Sequence, residues 1–450
     1  MTETVLPPGP PLPPGVQAGL MMKFWPRFVS ACHRRYGDVF TLRVASMGTL
    51  VYLARPEDIK TVFGGDPAVY HAGEANSMLA GLLGSSSVLV VDDAEHRDRR
   101  RLMLAPFRRE AVARQTGLIA RIAADNIAGW PIGRTFAVAP KMSEITLEVI
   151  LRTVIGATDE QRRAQLRAVM PKLLSVGVWE SLAINTPGLQ RLAPWRPFRD
   201  RLREADRLLY AEIAERRADP DLATRTDALA MMIRTGDMTD AQLRDQLMTL
   251  LVAGHDTTAT SLSWALERLT RHPAVLAKAV HAARTGADEH LDAVCKEVLR
   301  IRPVVFDIGR ILTEPTEVAG YRLPAGVMVA PGIGLVHRDA GQYPDPDRFD
   351  PDRMLGAALG PTTWLPFGGG NRRCLGANFA LVEMAVVLGE VLRRVDLHTS
   401  TARAERPRVK GVILIPHRGA RIRARRVDAL ASATCPAHPA DVRTELTSGT

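Results

Sequence analysis

One cysteine stands in the stretch Phe367-Gly368-Gly369-Gly370-Asn371-Arg372-Arg373-Cys374-Leu375-Gly376. Glycines without a Cβ allow a sharp turn or a close approach of backbone to a flat ligand. An apolar 3.6-period pattern begins at Ala377 and predicts a helix to Val395. A helix N-terminus favours an anion, so Cys374 is expected as a thiolate, the form that binds metal. Arg372, two residues earlier, suits a carboxylate partner. A second group of reactive residues lies upstream in Ala253-Gly254-His255-Asp256-Thr257-Thr258. Glycine, an acid and two threonines are poor choices for the middle of a buried helix. A hydroxyl or water inserted into the hydrogen-bond ladder can open such a helix locally. The alternative is a helix–helix contact through small residues.

The cysteine decamer resembles the haem-binding signature of the cytochrome P-450 family, F-x-x-G-x-R-x-C-x-G, with Phe367, Gly370, Arg372, Cys374 and Gly376 at the specified positions. The upstream hexamer resembles the family's A-G-x-D/E-T oxygen-binding motif. Glu297 and Arg300 stand in its E-x-x-R, and Phe349-Asp350-Pro351-Asp352-Arg353 resembles its F-x-P-x-R. The four motifs occur in the family's order, and the resemblance covers roughly residues 20–426.

The resemblance implies a fold that is mainly α with a smaller β region, with haem b held between a long central helix and the cysteine loop. It implies that Cys374 ligates the iron. By the same resemblance Phe367, Gly368, Gly376, Arg372 and Ala253 contact the haem, and His96, Arg100 and Arg310 hold its propionates. Thr257 would hydrogen-bond dioxygen and Asp256 would relay protons. Glu297, Arg300 and Arg353 would form a structural ion cluster. The implied activity is a monooxygenase that hydroxylates or epoxidises a hydrophobic small molecule with O2. No flavin or iron–sulfur module is evident, so electrons are expected from NAD(P)H through a ferredoxin and a ferredoxin reductase. A haem-based sensor without turnover and a peroxide-driven relative are the alternatives; the Asp256-Thr257 pair argues against both.

The elements that must position these residues are legible in outline. Thr239 to Arg271 is the longest helical signal, opened by a Thr239/Gln242 capping box and closed before Pro273. At 1.5 Å per residue it is a rod of roughly 50 Å. Ala94 to Phe107 is helical and very basic. His96 and Arg100 share a face there, with a solvated basic face as the alternative. Arg97, Arg99 and Arg101 are expected at solvent or a redox partner. Phe24–Tyr36, 110–160, 196–217 and Leu291–Ile301 read as helices. Asp38–Val44, Thr49–Ala54 and Val409–Ile415 read as strands, and Asp66–Ser87 as loop. Residues 1–16 read as an extended, partly mobile proline-rich lead, 17–426 as a single haem domain, and 427–450 as a disordered tail. Apolar candidates for the substrate wall are Leu79, Leu83, Val176, Leu250, Val305, Phe306 and Ile413.

Bulk composition narrows the alternatives. The chain has 450 residues, 46% hydrophobic, enough for a large core. Its four cysteines form no C-x-x-C pair, which points away from a zinc site or disulfide framework. The net charge of +10 is spread over the chain without a nucleic-acid motif. A solvated surface or a docking face for an acidic electron donor is the reading preferred. No stretch of 18 apolar residues suggests a membrane span, and no secretory signal is recognisable. A cytoplasmic monomer is expected.

Overall fold

The computed structural model describes residues 5–45, 47–174 and 195–427. The helix Asp240–Arg271 runs through the largest apolar core. The expected capping box forms, with Thr239 N–H donating to Gln242 Oε1 at 2.9 Å and Gln242 N–H to Thr239 Oγ1 at 3.3 Å. His272 leaves helical geometry directly before Pro273, where the proline ring disfavours α conformation. Helices Ala139–Val149, Arg196–Arg217, Asp288–Ile301 and Ala377–Arg394 pack on this rod. Their buried leucines, isoleucines and valines exclude water and supply the main stabilisation.

Beside the helices lies a five-stranded sheet. Its order is Val39–Val44, Gly48–Leu53, Met328–Pro331, Arg310–Leu312, Tyr70–His71. Gly48–Leu53 and Met328–Pro331 run parallel, Leu50 opposite Met328, and the other pairs are antiparallel. A second sheet joins Thr135–Ala137, Arg421–Arg426 and Val395–Thr399, none of which was expected as a strand. They are short, and Arg421–Arg426 reads as a charge run. Its Ile422 and Ala424 nonetheless turn inward on alternate positions.

Several expectations need correction. The proline-rich lead is docked over its described part: the carbonyls of Pro7 and Pro8 accept the Thr41 hydroxyl and amide at 2.7 and 2.9 Å. Its helix starts at Pro14, well before Phe24, because proline is tolerated in a first turn. Phe24, at φ −131°, marks a kink. The supposed loop 66–87 contains helical turns at Ala72–Ala75, Ser77–Leu79 and Ala80–Leu83. Val409–Ile415 is a hairpin, Pro407–Lys410 against Ile413–Pro416, turning at Gly411 with φ +56°. The tail 428–450 and Cys435 lie outside the described residues. Among the described residues no helix is long and apolar enough to cross a membrane.

Candidate functional site

Cys374 stands just ahead of helix Ala377–Arg394, for which Gly376 is the cap. Its N–H donates to Phe367 O at 2.9 Å, and Gly368 N–H donates to Leu365 O at 2.9 Å. The glycines have a packing reason. A Cβ on Gly369 or Gly370 would lie 2.2 or 2.3 Å from the ring or carbonyl of Phe63, and Gly370 also sits at φ +65°. Gly368, at φ +64°, faces Ile308, and Phe367 stacks edge-on with Trp364 at 5.8 Å. Burial pushes the Cys374 thiol up, against the Gly376 amide, Arg100 and Arg373, which favour the thiolate. Metal takes the thiolate form, so deprotonation of Cys374 would accompany its binding. The side chain is nevertheless exposed. The exposed sulfur is open to a ligand at this position.

The long helix has a matching opening. Residues 243–249 and 258–270 are buried, but Ala253 between them is exposed, and Leu250 and Thr257 are partly open. Positions 250, 253 and 257 share one helical face. Gly254 allows Ile150 to approach; a Cβ there would lie 2.4 Å from the Ile150 side chain. The helix stays continuous, because Thr257 Oγ1 donates to Ala253 O at 2.7 Å and Thr258 Oγ1 to Gly254 O at 3.0 Å. Back-bonding thus replaces the local opening considered from the sequence. Asp256 is paired with Lys410 of the late hairpin, Nζ to Oδ2 at 2.7 Å. His255 is buried, with Nδ1 2.7 Å from Leu251 O, and burial pushes its pKa down.

A cluster of cations gathers beside the cysteine loop. His96, Arg100, Arg310 and Arg372 all interact electrostatically, with Asp92 among them. Burial first, then Arg372 and Arg100, push His96 down to about 4. Arg310 is pushed down to about 10 by burial, and the side-chain bond it makes is to its neighbour's carbonyl, Gly309 O, at 2.8 Å. Arg372 pairs with Asp92, and Arg100 Nη2 donates to Arg373 O at 2.7 Å. Asp92 is already shared with the amides of Ala72, Gly73 and Glu74. Positive charge therefore exceeds negative in a partly desolvated place, which suits an anionic ligand. Propionates of a haem whose iron meets Cys374 fit that surplus. Arg97 and Arg101 are exposed as expected, but Arg99 is buried against Glu95 and is corrected.

The ion cluster lies behind the loop. Arg300 donates Nε to Glu297 Oε2 at 2.7 Å and Nη2 to Oε1 at 2.8 Å, both side chains fully buried. Arg353 approaches Glu297 at 3.4 Å. Arg300 also donates to the carbonyls of His337 and Pro346, each at 2.8 Å.

Of the wall candidates, Leu79, Leu250 and Val305 are partly open. Leu83 and Phe306 are core: Leu83 has no exposed surface, and Phe306 packs on Trp25 and beneath Gly334. Ile413 is buried beside the hairpin turn. Apolarity alone could not separate wall from core. Val176 lies outside the described residues. Sequence reasoning missed Asp92, Lys410 and Asp307 as partners, since lone polar residues carry no spacing signal; His337 is the structural hydrogen-bonder that its place in the sequence suggested.

Comparison with known proteins shows the family and the fold. The family model described as Cytochrome P450 matches residues 7–423. The chain is 67% identical over 451 residues to cytochrome P450 135B1 of Mycobacterium tuberculosis, covering 96% of each. It is 42% identical over 427 residues to that organism's cytochrome P450 135A1, covering 93% of this chain and 95% of the relative. Among solved structures, retinoic acid-bound cyanobacterial CYP120A1 superposes with TM-score 0.82 at 22% identity, covering 94% of this chain and 100% of that one. The haem domain of cytochrome P450DA gives 0.80 at 22% identity, covering 94% and 98%.

Proposed function

The chain belongs to the cytochrome P450 family of haem monooxygenases, and from that premise we propose that Cys374 is the iron ligand of an enzyme oxidising a hydrophobic small molecule with electrons from separate proteins. The observation that carries the site assignment is the cysteine loop. Its exposed sulfur takes the Gly376 N–H, while the Cys374 backbone N–H is tied to Phe367 O, beside a surplus of arginine charge. When bound, the haem supplies oxygen activation, which a thiolate ligand promotes by pushing electron density toward the O–O bond.

The protein's own residues do the rest. Arg100, Arg310, Arg372 and His96 would bind the propionates and fix the ring's orientation. Ala253 leaves room on the long helix for a flat group. Thr257 Oγ1, which now gives its proton to Ala253 O, can accept a hydrogen bond in return and so hold a proton donor over the site. Asp256 forms the outer end of the proton path, its Oδ2 held by Lys410 until it turns inward. Partly open Leu79, Leu250 and Val305 offer an apolar wall, which excludes water and suits a hydrophobic substrate.

A ferredoxin-type acidic donor, reduced from NAD(P)H, fits the exposed Arg97, Arg101, Arg108, Arg109 and Arg373 near the cysteine loop. Reconstitution with a surrogate ferredoxin, its reductase and NADPH tests this. Oxygen should be incorporated into a bound hydrophobic molecule, with a rate that falls as salt rises. Electron uptake without any oxidised product from any ligand would refute it.

A further inference from the structure

Segment 305–310 leads from the proposed pocket wall at Val305 to the cation cluster at Arg310, and Ile308 lies where a Cβ on Gly368 of the cysteine loop would meet it at 3.2 Å. Between core Phe306 and partly open Ile308 in this strip stands one acid, Asp307. Two donors hold it: Trp25 Nε1 at 2.8 Å, from just past the helix kink, and the Tyr52 hydroxyl at 2.5 Å. Tyr52 is itself fixed by stacking on Phe40 at 5.1 Å, and Trp25 leans on Phe306 at 6.2 Å. Both donors go to Oδ2. Oδ1 takes no donor among the described residues, and no cation pairs with the carboxylate. Asp307 is partly open, as are Val305, Ile308, Gly309 and Trp25.

A carboxylate held rigidly by one oxygen, with the other free in apolar surroundings, is an unspent acceptor. Leaving it so costs desolvation energy that a ligand donor would recover. Resting on the proposed function and deepening it, we infer that Asp307 Oδ1 is the polar anchor of the substrate pocket. It would select an apolar molecule that ends in a hydrogen-bond donor, a hydroxyl or a protonated amine, over one ending in a carboxylate. Burial pushes Asp307 up to about 6, in keeping with a carboxylate lacking a counter-ion.

The test titrates the full-length holoprotein by calorimetry at pH 7.5 with 1-decanol, decylamine and decanoate. The wild type should bind decanol and decylammonium about tenfold or more tighter than decanoate. Asp307→Asn removes the charge: its carbonyl oxygen stays with Trp25 and Tyr52, so an amide N–H, to which a hydroxyl oxygen can accept, replaces Oδ1. It should leave decanol binding unchanged, weaken decylammonium about tenfold and strengthen decanoate. Asp307→Leu should weaken both decanol and decylammonium. Decanoate binding as tightly as decanol, an Asp307→Leu protein indistinguishable from wild type, or no binding of any probe would overturn the assignment. The reduced, CO-treated spectrum of each protein keeps the two questions apart. A thiolate-type band together with the wrong head-group order sinks only this inference. Its absence from the wild type sinks the haem-thiolate reading, while calorimetry still decides on Asp307.

Discussion

His337 Nε2 accepts the amide proton of Leu365 at 2.8 Å, while its Nδ1 lies 3.2 Å from Arg300 O. One neutral imidazole therefore ties the Glu297–Arg300 cluster to the first residue of the turn that delivers Cys374, because Leu365 O receives Gly368 N–H. Burial, then Arg300, push His337 down to about 3.

His337→Ala would leave the Leu365 amide orphaned beside a cavity. A loss of about 2–4 kcal/mol is expected in denaturant titration. A larger share of haem lacking the thiolate-type spectrum should accompany it. The folded protein binds fewer protons than the unfolded chain between about pH 3 and the ordinary histidine value of 6.5. The wild type should therefore lose stability as pH falls through that window, by at most about 1.4 kcal/mol per unit for this group. The variant should lose less. An unchanged slope would show that His337 does not make this link.

Glu297→Gln leaves the buried Arg300 without its charge partner and weakens the acceptor for Arg353 and the Asp350 amide. A loss of about 3–5 kcal/mol is expected. Glu297→Leu combined with Arg300→Met should cost less than the sum of the single changes, measured as a double-mutant cycle.

Arg310→Met removes a buried cation whose side chain bonds a neighbouring carbonyl rather than a carboxylate. The haem-free protein should keep its stability or gain some. Haem transfer to an acceptor globin should become faster. Equal haem retention would take Arg310 out of propionate binding.

Thr257→Ala should uncouple electron consumption from product. Asp256→Asn should slow turnover about 100-fold, the scale of a lost general acid. Lys410→Met, which frees Asp256 from its ion pair, should shift the pH–rate profile and leave the CO spectrum intact. Profiles that superpose would show that Lys410 does not position Asp256.

Glu383 is buried in helix Ala377–Arg394, its Oε1 has no partner among the described residues, and burial pushes its pKa well above the carboxylate range. The folded state thus keeps a proton that the unfolded chain releases. Stability should fall as pH rises above the ordinary glutamate value toward that raised pKa, by at most about 1.4 kcal/mol per unit. Glu383→Gln should flatten this slope, read from denaturant midpoints at pH 6 and pH 8.

Much of the fold was legible because its signals are local. The Thr239/Gln242 cap, the proline after it and the Glu297/Arg300 spacing each act within one turn of helix. The cysteine loop was legible because its glycines and cysteine are consecutive. What stayed hidden depends on contacts distant in sequence. Lys410 meets Asp256 across 154 positions, and Trp25 meets Asp307 across 282. Leu83 and Phe306 read as pocket wall because apolar residues look alike until their surroundings are known.

The most direct test is the absorption spectrum of the reduced, CO-treated protein beside that of Cys374→Ser. The wild type should show the strongly red-shifted Soret band of thiolate-ligated haem, and the variant should lose it while still binding haem through the arginine cluster. A wild type that purifies without haem, or a Cys374→Ser protein that keeps the shifted band, would contradict the assignment of Cys374 as the iron ligand.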